Sequence, residues 1–147
     1  MLHRNGSEAY PKRAAEEFSL EILLDNEVRP DFKPKIENFI SHIHGEVAFL
    51  QDYHAEINTY NSFPHSSGIA SSASGMSALA LCLLSLKEML TGQDEENFFR
   101  TASQWARLGS GSASRSVYGG LVEWGRFSQL PESSDQFAIP YRGEGTL

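Results

Sequence analysis

The chain of 147 residues has little cysteine, little positive charge and no long apolar run. Its single cysteine, Cys82, excludes an internal disulfide and suits a reducing compartment. Lys and Arg number 12 against 19 Asp and Glu, and the resulting net charge of −7 argues against nucleic-acid binding. No uninterrupted apolar run approaches the roughly 20 residues of a membrane span, and the first residues do not resemble a signal peptide. We therefore expect a soluble cytoplasmic protein without a nucleic-acid or membrane partner.

Three common nucleotide-binding and catalytic motifs are also absent. A P-loop of the form Gly-x-x-x-x-Gly-Lys-Ser/Thr is excluded, because no lysine lies between Lys35 and Lys87. Gly109 and Gly111 could begin a dinucleotide-binding fingerprint, but Ser114 stands in place of its third glycine. The Gly-x-Ser-x-Gly elbow of many hydrolases does not occur.

The hydrophobic pattern predicts an α+β fold with the order β-α-β-α-α-β-β. Residues 1–18 are polar and mixed in charge, and we expect them to be a solvated lead-in to a domain that spans residues 19–147. The acidic residues 94–96 are expected on the first turn of a helix, where they would offset its dipole. The predicted elements are strands at 19–24 and 53–59, a turn at 25–26, a helix from Pro34 to Leu50, a long helix after the loop 61–68, a helix that ends at Gly109, and strands at 121–124 and 137–141.

The long helix is apolar on almost every side between residues 76 and 86. A helix that is hydrophobic all round is expected to be buried all round, which makes this one the centre of the domain. Cys82 lies within it and is expected to be buried, because a free cysteine packs like a small hydrophobe.

A serine-rich stretch at 61–75 lies between a predicted strand and the amino end of this helix. Free backbone N–H groups and the helix dipole make such an end suitable for an anion. Gly68 would let the backbone approach a ligand closely, and the hydroxyls of Ser71 and Ser72 could bind phosphate oxygens or Mg²⁺. The alternative is that a serine simply caps the helix.

A second serine-rich stretch, 109–116, contains Arg115 among glycines and hydroxyls. A guanidinium group binds carboxylates and phosphates through parallel hydrogen bonds. Arg115 is therefore predicted to bind an anionic ligand, and a structural salt bridge is the alternative.

Together the two stretches resemble the diphosphomevalonate decarboxylase family of the GHMP kinase superfamily (galactokinase, homoserine kinase, mevalonate kinase and phosphomevalonate kinase). The resemblance rests on Asn-x-Phe-Pro-x3-Gly-x-Ala-Ser-Ser-Ala-x-Gly at 61–75 and on Gly-Ser-Gly-Ser-Ala-x-Arg-Ser-x-x-Gly-Gly at 109–120. It implies part of the GHMP-kinase N-terminal domain, with a mixed sheet and a buried central helix. It also implies that the full-length enzyme uses ATP and Mg²⁺ to convert mevalonate 5-diphosphate into isopentenyl diphosphate, ADP, phosphate and CO₂.

The resemblance also implies a role for each serine-rich stretch. The substrate-binding residues would be Arg115, for the carboxylate of mevalonate 5-diphosphate, and Ser110 and Ser112, for its diphosphate side. The ATP phosphates would bind at the start of the long helix, with Ser72 also facing Mg²⁺. The residues implied there are Gly68, Ser71, Ser72 and Ser74.

The chain departs from the family pattern in two small replacements and in its length. Pro64-His65-Ser66-Ser67-Gly68 replaces the usual Pro-Thr-Ala-Ala-Gly, and Ser114 replaces the usual cysteine before the arginine. Family members are about twice as long or more, so 19–147 is expected to be an incomplete ATP- and substrate-binding domain. The amino-terminal strands, the carboxy-terminal domain and the catalytic aspartate would lie outside the chain.

We therefore expect the isolated chain to be inactive. The resemblance also implies that the full-length protein is a homodimer. Two alternatives within the enzyme class are a related GHMP small-molecule kinase and a phosphomevalonate decarboxylase. A third, from a different class, is a non-catalytic anion-binding fragment.

Overall fold

The computed structural model describes residues 1–4, 19–60, 62 and 71–143. The chain divides into two compact units, Met1–Ile69 and Ala70–Leu147. The strands are β1 (Leu2–Arg4), β2 (Ser19–Leu24), β3 (Glu27–Val28), β4 (Tyr53–Thr59), β5 (Val122–Trp124) and β6 (Ala138–Pro140), and the α-helices are α1 (Lys33–His42), α2 (Ser71–Thr91) and α3 (Phe98–Gly109).

The first unit contains a four-stranded mixed sheet with the order β1-β4-β2-β3. The central strands β2 and β4 run parallel, in a register that pairs Leu20 with Ala55 and Ile22 with Ile57. A parallel pair needs a crossover connection, and α1 with the turns that follow it supplies one. The predicted α+β class is therefore confirmed, as are the strands at 19–24 and 53–59.

The turn at residues 25–26 is also confirmed. Asp25 and Asn26 have φ values of 52° and 67°, in the left-handed region that Asp and Asn tolerate better than most residues. The Nδ2 of Asn58 donates to the Oδ1 of Asn26 at 2.7 Å. This two-residue turn joins β2 to β3, a short strand that the hydrophobic pattern does not reveal.

The helix predicted from Pro34 to Leu50 is wrong in its second half. α1 ends at His42, and a 3₁₀ helix, Ala48–Asp52, follows a run of turns that contains Gly45. Glycine lowers helix stability by about 1 kcal/mol relative to alanine, and it lies where the α-helix would have to continue. The apolar stripe survives the break, because its members remain buried: Phe39, Ile40, Ile43, Val47 and Leu50.

Residues 2–4 form a strand in the segment that the sequence predicted to be a solvated lead-in. β1 pairs with β4 in antiparallel register, with Leu2 opposite Ala55. Three residues are too few for a periodic pattern, so only the edge of β4 defines this strand. Residues 5–18 lie outside the described residues.

In the second unit, α2 packs against α3 and against a 3₁₀ helix at Gly111–Val117. One face of α2 is buried, and its members are Ala73, Met76, Ser77, Leu79, Ala80, Leu83 and Leu84. The opposite face, with Ala78, Ser85 and Met89, is exposed. The prediction of burial on every side is therefore wrong, and Cys82 is exposed rather than buried. Most of the outward-facing residues are small or polar, so their exposure costs little.

In the part of the chain that the structure describes, one helix segment is long and apolar enough to cross a membrane. This segment, Ser72–Thr91, has a mean hydropathy of 1.3, and 33% of the window is buried within the protein. Length and composition alone do not separate a membrane span from the core helix of a soluble protein. The absence of a membrane partner therefore stays a prediction.

The acidic residues 94–96 precede α3 instead of lying on its first turn. The Glu95 amide donates to the Glu88 carboxylate at 2.7 Å, and the Glu95 carboxylate accepts from the Thr101 hydroxyl at 3.3 Å. These bonds tie the connection between α2 and α3 to both helices, and Asn97 becomes the residue before α3. The predicted end at Gly109 is confirmed, as are two strands near 121–124 and 137–141, which pair antiparallel as β5 and β6.

Candidate functional site

The glycine- and serine-rich stretch after α3 is helical, although its sequence shows no helical pattern. Ser110 is extended, with φ −161° and ψ 119°, and separates α3 from the 3₁₀ helix Gly111–Val117, which we term the Arg115 helix. Residues three apart in a 3₁₀ helix lie on the same edge. Ser112 and Arg115, both predicted to bind substrate, therefore share one edge of the Arg115 helix.

The two sides of the Arg115 helix differ in burial. Ala113, Ser114 and Val117 are buried, whereas Arg115 and Ser116 are exposed and Ser112 is half-buried. Within the described ranges, the Arg115 guanidinium has no carboxylate at salt-bridge distance and no hydrogen-bond partner. The structural salt bridge considered from sequence is thus not formed in this part of the chain, and the Arg115 fork is available to a ligand.

A buried serine on α3, which the sequence analysis did not single out, holds the inner side of the Arg115 helix. The Ser103 hydroxyl donates to the Ser114 carbonyl at 2.8 Å and accepts from the Ala138 amide at 2.9 Å. The Ser114 hydroxyl in turn donates to the Gly111 carbonyl at 3.0 Å. The position of Ser103 in the sequence could have indicated burial, because it lies between Ala102 and Trp105 in the apolar pattern of α3.

Three of the four predicted ATP-binding residues, Ser71, Ser72 and Ser74, lie at the start of α2. Ser71 begins the helix, Ser72 is exposed and Ser74 is half-buried. The carbonyl of Ser74 accepts a hydrogen bond from the Ser77 hydroxyl at 2.9 Å. Gly68 and the side chain of Ser71 lie outside what the structure describes. α2 packs against the Arg115 helix, so the start of α2 from Ser71 onward and the Arg115 helix belong to the same compact unit.

The described residues fit Mg²⁺ only as a partner of phosphate. No group of three or more His, Cys, Asp or Glu side chains that could hold a metal ion occurs among them. Mg²⁺ keeps several waters and often binds through substrate phosphates with one or two protein oxygens. The exposed Ser72 hydroxyl can supply one such oxygen.

Tyr118 follows the Arg115 helix, and its environment changes its acidity. Burial raises the pKa of Tyr118 above its ordinary value of 10.0, and the positive charge of Arg100 opposes part of that effect. Its ring centroid lies 6.0 Å from that of Phe99. The neutral phenol is therefore the form that the folded state favours.

The protein is expected to lose stability in alkali partly through Tyr118. The unfolded phenol ionises near its ordinary pKa and the folded one only above it, so this contribution is full below about pH 10 and falls as the pH rises further. Tyr118→Phe should reduce that fall, measured as the difference in unfolding free energy between about pH 9 and about pH 11 in urea. An equal fall in the variant would contradict the assignment.

A separate cleft of about 430 Å³ lies on the β5–β6 hairpin. Glu123 lines it, on the face of β5 opposite Trp124, and no described residue bonds its buried Oε2. None of the residues predicted to bind substrate or ATP lines this cleft.

Comparison with known proteins supports the resemblance. Residues 8–138 match the family model of the diphosphomevalonate decarboxylase-like N-terminal domain. The diphosphomevalonate decarboxylase of Ganoderma lucidum is 41% identical over 90 residues, which cover 61% of this chain and 21% of that protein. The chain thus spans about a fifth of the length of the curated relatives it matches.

Solved structures agree in fold. Mevalonate diphosphate decarboxylase from Staphylococcus aureus superposes with a TM-score of 0.63 at 31% identity, covering 86% of this chain and 35% of that one. A second structure concerns the mevalonate diphosphate mediated ATP binding mechanism of the mevalonate diphosphate decarboxylase from Enterococcus faecalis. It superposes with a TM-score of 0.62 at 27% identity, and the match covers 87% of this chain and 37% of that one. The family model covers residues 8–138, which is most of this chain. The chain therefore belongs to the diphosphomevalonate decarboxylase-like N-terminal domain family.

Proposed function

We propose that this chain is the ATP- and substrate-binding part of a diphosphomevalonate decarboxylase. In that reaction ATP phosphorylates the tertiary 3-hydroxyl of mevalonate 5-diphosphate, and loss of this phosphate with CO₂ gives isopentenyl diphosphate. The observation that carries the proposal is the exposed Arg115, without an ion-pair partner among the described residues and on one edge with Ser112.

Arg115 is proposed to bind the substrate carboxylate, the group that leaves as CO₂. Two parallel N–H···O bonds would fix both the position and the rotation of that carboxylate. Orientation of this kind lowers the activation free energy, because the entropy cost of bringing the reacting groups into the correct geometry is met when the substrate binds. Ser110 and Ser112, both half-buried, are proposed to contact the diphosphate side of the same substrate.

The first turn of α2 is proposed to bind the phosphates of ATP. The unpaired N–H groups of a helix start and its dipole favour negative charge. Gly68, Ser71, Ser72 and Ser74 would contribute backbone and hydroxyl groups, with Ser72 also facing Mg²⁺. When bound, Mg²⁺ supplies neutralisation of the phosphate charge.

Catalysis by this chain alone is not part of the proposal. Phosphoryl transfer depends largely on positioning and charge stabilisation, which hydroxyls, backbone and one arginine can provide. The aspartate that acts near the 3-hydroxyl is expected outside this chain. A homodimeric full-length enzyme in the cytoplasm, with no nucleic-acid or membrane partner, completes the proposal.

Calorimetric titration of the 147-residue chain tests the binding proposal. Mevalonate 5-diphosphate should bind, and MgATP should bind in its presence, whereas galactose and homoserine should give no heat. An assay for ADP and CO₂ should detect no turnover. Absence of mevalonate 5-diphosphate binding would contradict the proposed function, and CO₂ release by the chain alone would contradict its restriction to binding.

The enzyme alternatives separate in the same experiment. A phosphomevalonate decarboxylase would bind mevalonate 5-phosphate more tightly than the diphosphate. A GHMP kinase for a substrate without a carboxylate would not need Arg115, so its ligand affinity would be the same in Arg115→Ala.

A further inference from the structure

Ser103 links three elements through one buried hydroxyl. It lies on α3, donates to the Ser114 carbonyl of the Arg115 helix and accepts from the Ala138 amide of β6. The Ser103 residue is 0% exposed, so water does not compete for either bond. A hydroxyl has one proton to donate, and Ser103 directs it to Ser114.

The carbonyl that Ser103 holds belongs to the peptide bond immediately before Arg115. That peptide group is planar, so the direction of the Ser114 carbonyl sets the orientation of the Arg115 nitrogen and of its Cα. The Ser114 side chain adds a second constraint by donating to the Gly111 carbonyl at 3.0 Å. The backbone from which the Arg115 side chain extends is therefore fixed from the buried side.

The β5–β6 hairpin holds the other end of the same helix. A Cβ on Gly111 would lie 3.4 Å from the indole of Trp124, and Trp124 pairs with Ala138 across the hairpin. Ser103 thus ties the Arg115 helix to α3 and, through Ala138, to the hairpin that packs against Gly111. Buried bonds of this kind are strong because the surroundings have a low dielectric constant.

We propose that Ser103 is a positioning residue for Arg115, acting through the Ser114–Arg115 peptide group on the carboxylate end of the ligand. This inference rests on the proposed function, since it assumes that Arg115 binds the carboxylate of mevalonate 5-diphosphate.

The chain offers a matched control in Ser77. Ser77 is also buried, at 2% exposure, but its hydroxyl proton is shared between the Ala73 and Ser74 carbonyls of its own helix, each 2.9 Å from the Ser77 oxygen. Ser77→Ala therefore removes a buried hydroxyl without releasing the Arg115 helix. Ser103→Ala removes the hydroxyl that links separate elements.

The test compares two ligands of the 147-residue chain by calorimetry. Mevalonate 5-diphosphate carries the carboxylate, and isopentenyl diphosphate carries the diphosphate without it. Ser103→Ala should lower the affinity for mevalonate 5-diphosphate about tenfold and the affinity for isopentenyl diphosphate less than about twofold. Ser77→Ala should change neither affinity by more than about twofold. Ser103→Thr, which keeps the hydroxyl, should restore most of the affinity.

A folded variant is needed for this comparison. Circular dichroism checks each one, and Ser103→Cys, which fills the same space with a weak donor, is measured beside Ser103→Ala. Equal weakening of both ligands, or unchanged affinity in folded Ser103→Ala and Ser103→Cys, would overturn the positioning role.

Hydrogen exchange separates failure of this inference from failure of the proposed function. In the ligand-free chain, Ser103→Ala should speed amide exchange across residues 113–117 at least about tenfold, and Ser77→Ala should not. If the wild-type chain binds neither ligand, the proposed function is wrong. The amide exchange rates of residues 113–117 then still show whether Ser103 holds the Arg115 helix in place. Unchanged exchange in Ser103→Ala would overturn the inference in either case.

Discussion

Replacing Arg115 with alanine is expected to weaken the binding of mevalonate 5-diphosphate about 100-fold, or about 2.7 kcal/mol. Hydrogen bonds between charged groups are stronger than neutral ones, and a bidentate pair loses two of them at once. The side chain is exposed, so its removal leaves no cavity and the fold should remain intact. Titration calorimetry of the wild-type and Arg115→Ala chains measures the difference.

Two controls make the Arg115 result specific. Arg115→Lys keeps the charge but loses the planar fork, and we expect it to recover only part of the affinity, to about tenfold below wild type. Arg126→Ala removes another exposed arginine from the same unit and should have little effect.

Isopentenyl diphosphate, which lacks the carboxylate, distinguishes the two anions that Arg115 could bind. Its affinity should change less than about twofold in Arg115→Ala. Equal losses for the two ligands would mean that Arg115 binds the diphosphate instead of the carboxylate.

Local chemistry explains why much of the fold could be predicted. The strand Ser19–Leu24 is a short apolar run followed by Asp25 and Asn26, whose left-handed φ angles are a property of those two residue types. Pro34 on the first turn of α1 and Gly109, a weak helix former at the last position of α3, likewise act within one helical turn. Signals of this range do not depend on the rest of the fold.

The remaining elements depend on contacts between distant residues. β1 exists because β4 offers an edge to Leu2–Arg4, and three residues carry no period of their own. The Arg115 helix has a glycine- and serine-rich sequence that disfavours an α-helix, and it is tied to α3 by Ser103 and packed beside Trp124. Neither neighbour is apparent from the local sequence.

The candidate site also combines features that the local sequence predicts with features that depend on contacts between distant residues. The sequence motif identified Ser110, Ser112 and Arg115, but only the 3₁₀ geometry shows that Ser112 and Arg115 share an edge. Ser103 was missed because its partners, Ser114 and Ala138, lie 11 and 35 residues away along the chain. For Gly68, Ser71, Ser72 and Ser74, binding to ATP phosphates stays a prediction.

The one-sided burial of α2 predicts a large difference between two leucines of the same helix. Leu84 is 0% exposed and Leu90 is 44% exposed. Leu84→Ala is expected to lower the free energy of unfolding by about 3 kcal/mol, because it removes buried surface and leaves a cavity. Leu90→Ala should cost less than about 1 kcal/mol, since much of its surface is already in water. Urea denaturation of the three chains measures both values.

Cys82 provides the control for position along the helix. Leu90 lies near the end of α2, where fraying alone could reduce the cost of a substitution, whereas Cys82 is exposed and only two residues from Leu84. Cys82→Ala should therefore also be nearly neutral, within about 0.5 kcal/mol. Comparable large losses in all three variants would mean that α2 is enclosed on every side, as its composition suggested. A loss confined to Leu84 would mean that the inner face, which packs against α3 and the Arg115 helix, carries the stability of this unit.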